Sequence, residues 1–207
     1  MKIFIPILLV LVSLSSVRAQ AYTRKYEVKS SDKRIGQVVA TRSLEGEIEQ
    51  YTVDSDVTMS MIISLNVSYK VQATFKKGVL VASSATIYLN GNIQDQVDVE
   101  RKGDHYEVVM NGHTTRIYQE ITASSASLFF SKPKGIKTVF SETSGIMKPV
   151  TETADGKFKL RDPDKESNLN TYTYSSDQGL NGIEIERSLF PTLNLVYARE
   201  PRPAETE

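Results

Sequence analysis

From Leu65 to Lys76 the chain alternates without a break. Leu65, Val67, Tyr69, Val71, Ala73 and Phe75 fall on one parity, and Asn66, Ser68, Lys70, Gln72, Thr74 and Lys76 fall on the other. A period of two sends successive side chains to opposite faces of a strand, so the segment reads as a β-strand with one apolar and one wet face. It is about twice as long as the usual strand of five or six residues. Strands of that length suit a strongly curved sheet.

Turn chemistry divides the rest of the chain into similar pieces. Lys77-Gly78, Asn90-Gly91, Gly103-Asp104, Asn111-Gly112, Asp155-Gly156 and Gln178-Gly179 each stand between alternating runs, and Asn-Gly suits the positive φ angles of a two-residue hairpin turn. The pattern predicts strands at 22–30, 34–44, 47–59, 62–76, 79–89, 93–101, 105–110 and 113–121, an antiparallel meander. After a break it predicts six more, at 138–142, 147–154, 157–161, 169–175, 182–187 and 193–198. Within the break, 122–130 is the one helical candidate, with Ser124 or Ser125 as its cap ahead of Leu128, Phe129 and Phe130.

The expected fold class is therefore all-β: a long antiparallel meander forming a strongly curved sheet, a half-barrel or barrel-like, with one short helical insertion. So much apolar sheet face and so little helix mean that the sheet must cover itself, by folding back, closing, or curling around a guest. Each Val, Leu, Ile or Phe left wet forgoes about 1.5–3 kcal/mol. The candidate guest-binding residues are Leu65, Val67, Tyr69, Val71 and Phe75 on the long strand, with Leu128 and Phe129 from the helical insertion.

The ends read differently from the middle. Lys2 precedes an apolar stretch from Ile3 to Leu14, and Val17-Arg18-Ala19 and Ala19-Gln20-Ala21 each satisfy a small-x-small cleavage rule. The stretch is shorter than the ~20 residues a membrane-spanning helix needs. Residues 1–21 are expected to be a removed signal peptide, 22–198 a single β domain and 199–207 a disordered tail. Export to the periplasm, the cell surface or the medium follows, with no transmembrane anchor after cleavage. The chain has no cysteine, which excludes disulfides, a thiol nucleophile and a lipid-anchored amino terminus. Its 25 basic and 25 acidic residues balance, and the short clusters Lys76-Lys77 and Arg101-Lys102 form no stripe for a phosphate backbone, so nucleic acid is not an expected partner.

A search for reactive groups returns little. His105 and His113 are the only histidines, each beside a turn and outside any metal-ligand spacing. Asp162-Pro163-Asp164-Lys165-Glu166 resembles the opening of a calcium loop, but Ser167 stands where that loop needs glycine and Thr173 where it needs glutamate. Glu184 and Glu186 share a strand face, with Ile183 and Ile185 on the other. Tyr172 and Tyr174 share theirs with Asn168 and Asn170, as packing or as a contact surface. Neither a catalytic residue, a metal nor a cofactor is expected, and the chain reads as no enzyme.

Ile35-Gly36, the Asn90-Gly91 hairpin, Leu128-Phe129-Phe130 running into Pro133-Lys134-Gly135, Val139-Phe140-Ser141-Glu142 and Asn170-Thr171-Tyr172-Thr173-Tyr174 resemble a family of exported β-rich proteins of Gram-negative bacteria, a domain of unknown function. The resemblance covers most of residues 22–198. In architecture the chain is also distantly similar to the half-barrel of periplasmic lipoprotein carriers, which cradle acyl chains in a concave face.

These observations support a non-enzymatic binding module that holds a lipid, another apolar small molecule or a partner's segment in the concave face. The competing reading is a structural or protein-interaction module with a closed, dry core. An outer-membrane barrel and an enzyme built around a histidine rank below both.

Overall fold

The computed structural model describes residues 20–60, 64–165, 167–176, 179–188 and 190–198. Its strands are β1 Gln20–Ser30, β2 Lys33–Glu45, β3 Ile48–Ser60, β4 Ser64–Lys76, β5 Val79–Leu89, β6 Asn92–Lys102 and β7 His105–Met110. They continue as β8 His113–Ile117, β9 Thr138–Ser141, β10 Ile146–Glu152, β11 Phe158–Arg161, β12 Leu169–Tyr174, β13 Leu180–Arg187 and β14 Phe190–Tyr197. These make up one antiparallel sheet in the order β8-β7-β6-β5-β4-β3-β2-β1-β14-β13-β12-β11-β10-β9.

The chain thus lays down β1 to β8 as a meander, crosses to the far edge, and returns from β9 until β14 pairs with β1. That last pairing sets Tyr26 opposite Tyr197 and Val28 opposite Leu195. Local chemistry fixes the hairpins: Asn90 and Gly91 both take positive φ, 51° and 80°. The Asn90 side-chain oxygen accepts the Asn66 N–H at 2.9 Å, tying the β5–β6 turn to β4.

Residues 118–137 form the crossing, and they hold the two halves together. The Leu80 N–H of β5 donates to Ile121 O at 2.9 Å, while Phe140 of β9 donates to Ala123 O at 3.0 Å and accepts from the Ser125 N–H at 2.8 Å. Farther on, the β9–β10 turn lies against β6 and β7, where a Cβ added to Gly145 would come within 2.8 Å of Val108 Cγ1. The sheet therefore curls into a barrel-like shell, its apolar face inward. Tyr26, Val53, Leu80, Val97, Tyr106, Phe140, Phe158 and Leu180 are all buried in it.

Three expectations need correction. The eighth strand stops at Ile117 rather than residue 121, because Ile121 leaves β7 to bond Leu80. The helical insertion is only a single 3-10 turn, Ser127–Phe129. Its cap position is Ala126, without a side-chain cap bond, since Ser124 and Ser125 are engaged by the bridge to Phe140. In their place the Ser127 hydroxyl accepts the Ser124 N–H at 3.0 Å and donates to Ser124 O at 2.8 Å. The signal-peptide core, the expected strand start at Ile62 and the tail fall outside the described residues. Among those that are described, no helix is long and apolar enough to cross a membrane, a statement that leaves membrane-spanning strands untouched.

Candidate functional site

One end of the shell is filled by rings. Phe129 stands edge-on to Tyr26 at 5.3 Å, Phe130 lies 5.8 Å from Tyr51, and Tyr51 meets Phe75 edge-on at 5.6 Å. The Tyr174 hydroxyl donates to Leu128 O at 2.9 Å and so fixes the 3-10 turn against β12. Long aromatics at the β1, β3 and β4 positions that face this turn leave little room between them, and buried ring contacts of this kind favour edge-on geometry.

The other end is open. There the ends of β1, β3 and β13 and the beginnings of β4 and β14 surround a cavity of about 310 Å³ with walls that are largely apolar. Val28, Val57 and Leu195 form its floor, and Met59, Val67 and Leu193 stand toward the rim. Alternation explains why these side chains meet: each is the inward parity of its strand, and the sheet order sets β4, β3, β2, β1, β14 and β13 side by side, with Val38 contributing from β2.

A smaller chamber of about 160 Å³ adjoins it, sharing Tyr69, Ile185, Arg187 and Leu195 as common wall. This chamber is the more polar of the two, its apolar wall broken by charged and polar groups. Glu142, Lys148, Asn170 and Tyr172 reach it from β10, β12 and the end of β9. Lys148 Nζ lies 3.5 Å from Asp162 Oδ2, with both side chains mostly covered. Arg187 donates through Nη1 to Glu186 O at 2.6 Å, Asn170 Oδ1 at 3.0 Å and Leu169 O at 3.4 Å. Glu142, only 1% exposed, accepts the Ala126 N–H at 3.2 Å.

Burial dominates the electrostatics of this chamber. It pushes the Glu142 carboxyl up and holds the Lys148 ammonium below its ordinary range, against the pull of Asp162. It also lowers the Arg187 guanidinium, and it raises the Tyr69 and Tyr172 hydroxyls to about 12. Cations that burial disfavours are stabilised by an anion brought beside them.

The candidate residues separate accordingly. Val67 and Tyr69 line the apolar cavity, while Tyr69, Val71 and Phe129 line the polar chamber. Phe75 and Leu128 are buried in the ring-filled end, and Leu65, half-buried near the start of β4, borders neither space. Sequence reasoning missed Arg187 and Lys148, although the signal was present: Ile183 and Ile185 lead up to Arg187, and Ile146 and Val150 flank Lys148 at the same spacing of two.

The other motifs lie elsewhere. His105 Nδ1 is 2.9 Å from Asp104 Oδ1 at a turn, and neither histidine borders either space. Asp162 accepts the Asp164 N–H at 3.1 Å as a local turn, and no three metal-ligating side chains gather among the described residues. Glu184 points outward, opposite to buried Ile183. Tyr172 is buried and Tyr174 half-buried, so that face packs inward and presents no outer contact surface.

Residues 26–197 match the family described as Domain of unknown function (DUF6134). The shell is similar to the crystal structure of a beta-barrel-like protein of domain of unknown function DUF1849 from Brucella abortus. That likeness has a TM-score of 0.55 at 8% identity, over 89% of this chain and 98% of the other, and at such identity it concerns the fold alone. No curated protein matches the chain in sequence.

Proposed function

The chain belongs to the family of Domain of unknown function (DUF6134), and from that premise we propose that it is an exported, non-enzymatic binding protein that holds an apolar ligand inside its barrel-like shell. The observation that carries this reading is the cavity of about 310 Å³ at the open end. It lies at the lower end of the ~300–1,000 Å³ typical of small-molecule sites. Most of its wall is valine, leucine, isoleucine and methionine, which water solvates poorly, with Ser55, Tyr69, Pro191 and Arg187 completing it. With no cysteine in the chain, there is no disulfide to offset apolar area left wet. A guest that covers these walls would recover that loss.

The non-catalytic part of the reading draws support from the histidines, which stand at turns away from both spaces. Export is supported by the signal-like pattern of residues 1–21. A module with a closed, dry core would have no use for such a space.

The test is native mass spectrometry and solvent extraction of protein purified without detergent. An apolar compound should be retained, and the stripped protein should bind a hydrophobic dye that the extract displaces. Folded protein that carries nothing and leaves the dye unchanged would refute the proposal.

A further inference from the structure

An apolar space and a more polar one share a wall, and the one charged residue of that wall is Arg187. The charges of the polar chamber do not balance in space. Lys148 is answered by Asp162 at 3.5 Å, whereas every hydrogen bond of Arg187 among the described residues goes to a neutral oxygen: two backbone carbonyls and the Asn170 amide. Those three bonds all use Nη1. Glu142 is the acid that lines the chamber itself, and its carboxyl is turned to the Ala126 backbone N–H. Tyr69 and Tyr172 supply hydroxyls and no charge at neutral pH.

A partly buried guanidinium whose hydrogen bonds all go to dipoles, and which Asp162 reaches only through space, is a strong site for one added negative charge, because charge-assisted hydrogen bonds are roughly twice as strong as neutral ones. Its fork suits a carboxylate in particular. Beside it begins an apolar cavity with no charged wall other than Arg187 itself. We propose that the ligand is a single-chain amphiphile with a carboxylate head, of the fatty-acid class, its head against Arg187 and Lys148 and its tail between Val28, Val57, Val67 and Leu193. This assignment rests on the binding role proposed above and deepens it.

With Asp162 in direct contact with Lys148 and not with Arg187, one cation is left outside an ion pair and calls for one negative charge, which favours a carboxylate over a dianionic phosphate. The chamber, about 160 Å³, is also small for a bulky head group.

The experiment uses the full exported chain, stripped of ligand, and compares palmitate, methyl palmitate and hexadecyl phosphate by displacement of a fluorescent dye. Palmitate should bind about tenfold or more tightly than its ester, the share that a charge-assisted hydrogen bond contributes. Arg187→Gln should abolish the advantage of palmitate over its ester, and Lys148→Gln should reduce that advantage to a smaller degree. Circular dichroism of each variant establishes that it is folded, and the comparison of acid with ester in the wild-type protein needs no variant. Equal binding of acid and ester overturns the anionic head and leaves the apolar-ligand reading standing. A preference for hexadecyl phosphate overturns the carboxylate. Failure of all three amphiphiles and of the dye overturns both readings.

Discussion

Tyr106 and Leu80 are tied by a buried hydrogen bond of 3.1 Å, the phenol hydroxyl donating to the backbone carbonyl oxygen. The same hydroxyl accepts the Ile121 N–H at 3.3 Å, so one side chain of β7 joins β5 to the crossing segment. Removing the hydroxyl takes a donor from one buried backbone group and an acceptor from the other. Tyr106→Phe should therefore lower the unfolding free energy by about 1–3 kcal/mol, measured by urea denaturation. A loss close to zero would mean that the crossing segment finds other partners and is not anchored there.

Glu142 is fully covered, and burial pushes its carboxyl above the ordinary value of 4.5. In the folded protein it holds its proton to higher pH than in the unfolded chain. Its contribution to stability is thus fully present below about pH 4.5 and is lost as pH rises through the folded pKa. Glu142→Gln keeps the oxygen that accepts the Ala126 N–H and removes the charge. The variant should be at least as stable as wild type at pH 7, with the difference between them shrinking as pH falls toward 4.5. Glu49 has the opposite sense, its carboxyl lowered by the Tyr51 hydroxyl and Arg42 against the effect of burial, so only the difference between the two proteins isolates Glu142. A wild-type advantage that grows with pH would be the contrary result.

The alternation from Leu65 to Phe75 marks β4 because one face of it is wet along its length, and the Asn-Gly pairs mark hairpins because few other residues accept their φ angles. What the sequence hides is pairing between distant strands. That β14 lies beside β1, with Val28 opposite Leu195, depends on a crossing whose key contact is a backbone carbonyl, Ile121 O, and a carbonyl has no sequence signature. Arg187 and Lys148 escaped for another reason. Lone charges in strands usually face water, and only the curled sheet reveals that Ile185 and Arg187 share the wall of one interior.

Gly36 of β2 sits opposite Val57 of β3, and the two backbones approach so closely that an added Cβ would run into the Asp56 carbonyl oxygen and lie 2.7 Å from Val57 Cα. Neither obstacle is a flexible side chain. Gly36→Ala should cost about 1–3 kcal/mol as overpacking, seen as a lower melting temperature. Because Val57 forms part of the apolar cavity, the same substitution should also weaken dye binding. An unchanged melting temperature would show that the strands can separate at this point without penalty.

Val67 lines the apolar cavity from β4, between Val57 of β3 and Leu89 of β5. Val67→Phe places a ring in space that is otherwise left to solvent or a guest. Covering more apolar wall favours the folded state, by up to about 1–2 kcal/mol. The ring also takes volume from a ligand in a cavity of only about 310 Å³. Stability and uptake should therefore move in opposite directions: a melting temperature equal to or above wild type, with affinity for an apolar dye reduced about tenfold or more, equivalent to about 1.4 kcal/mol or more. A variant that melts higher and still takes up the dye as well as wild type would place the ligand elsewhere. A variant that loses both would mean that the ring is rejected by the wall, and Val67→Leu, which adds less bulk, would then be the variant to compare.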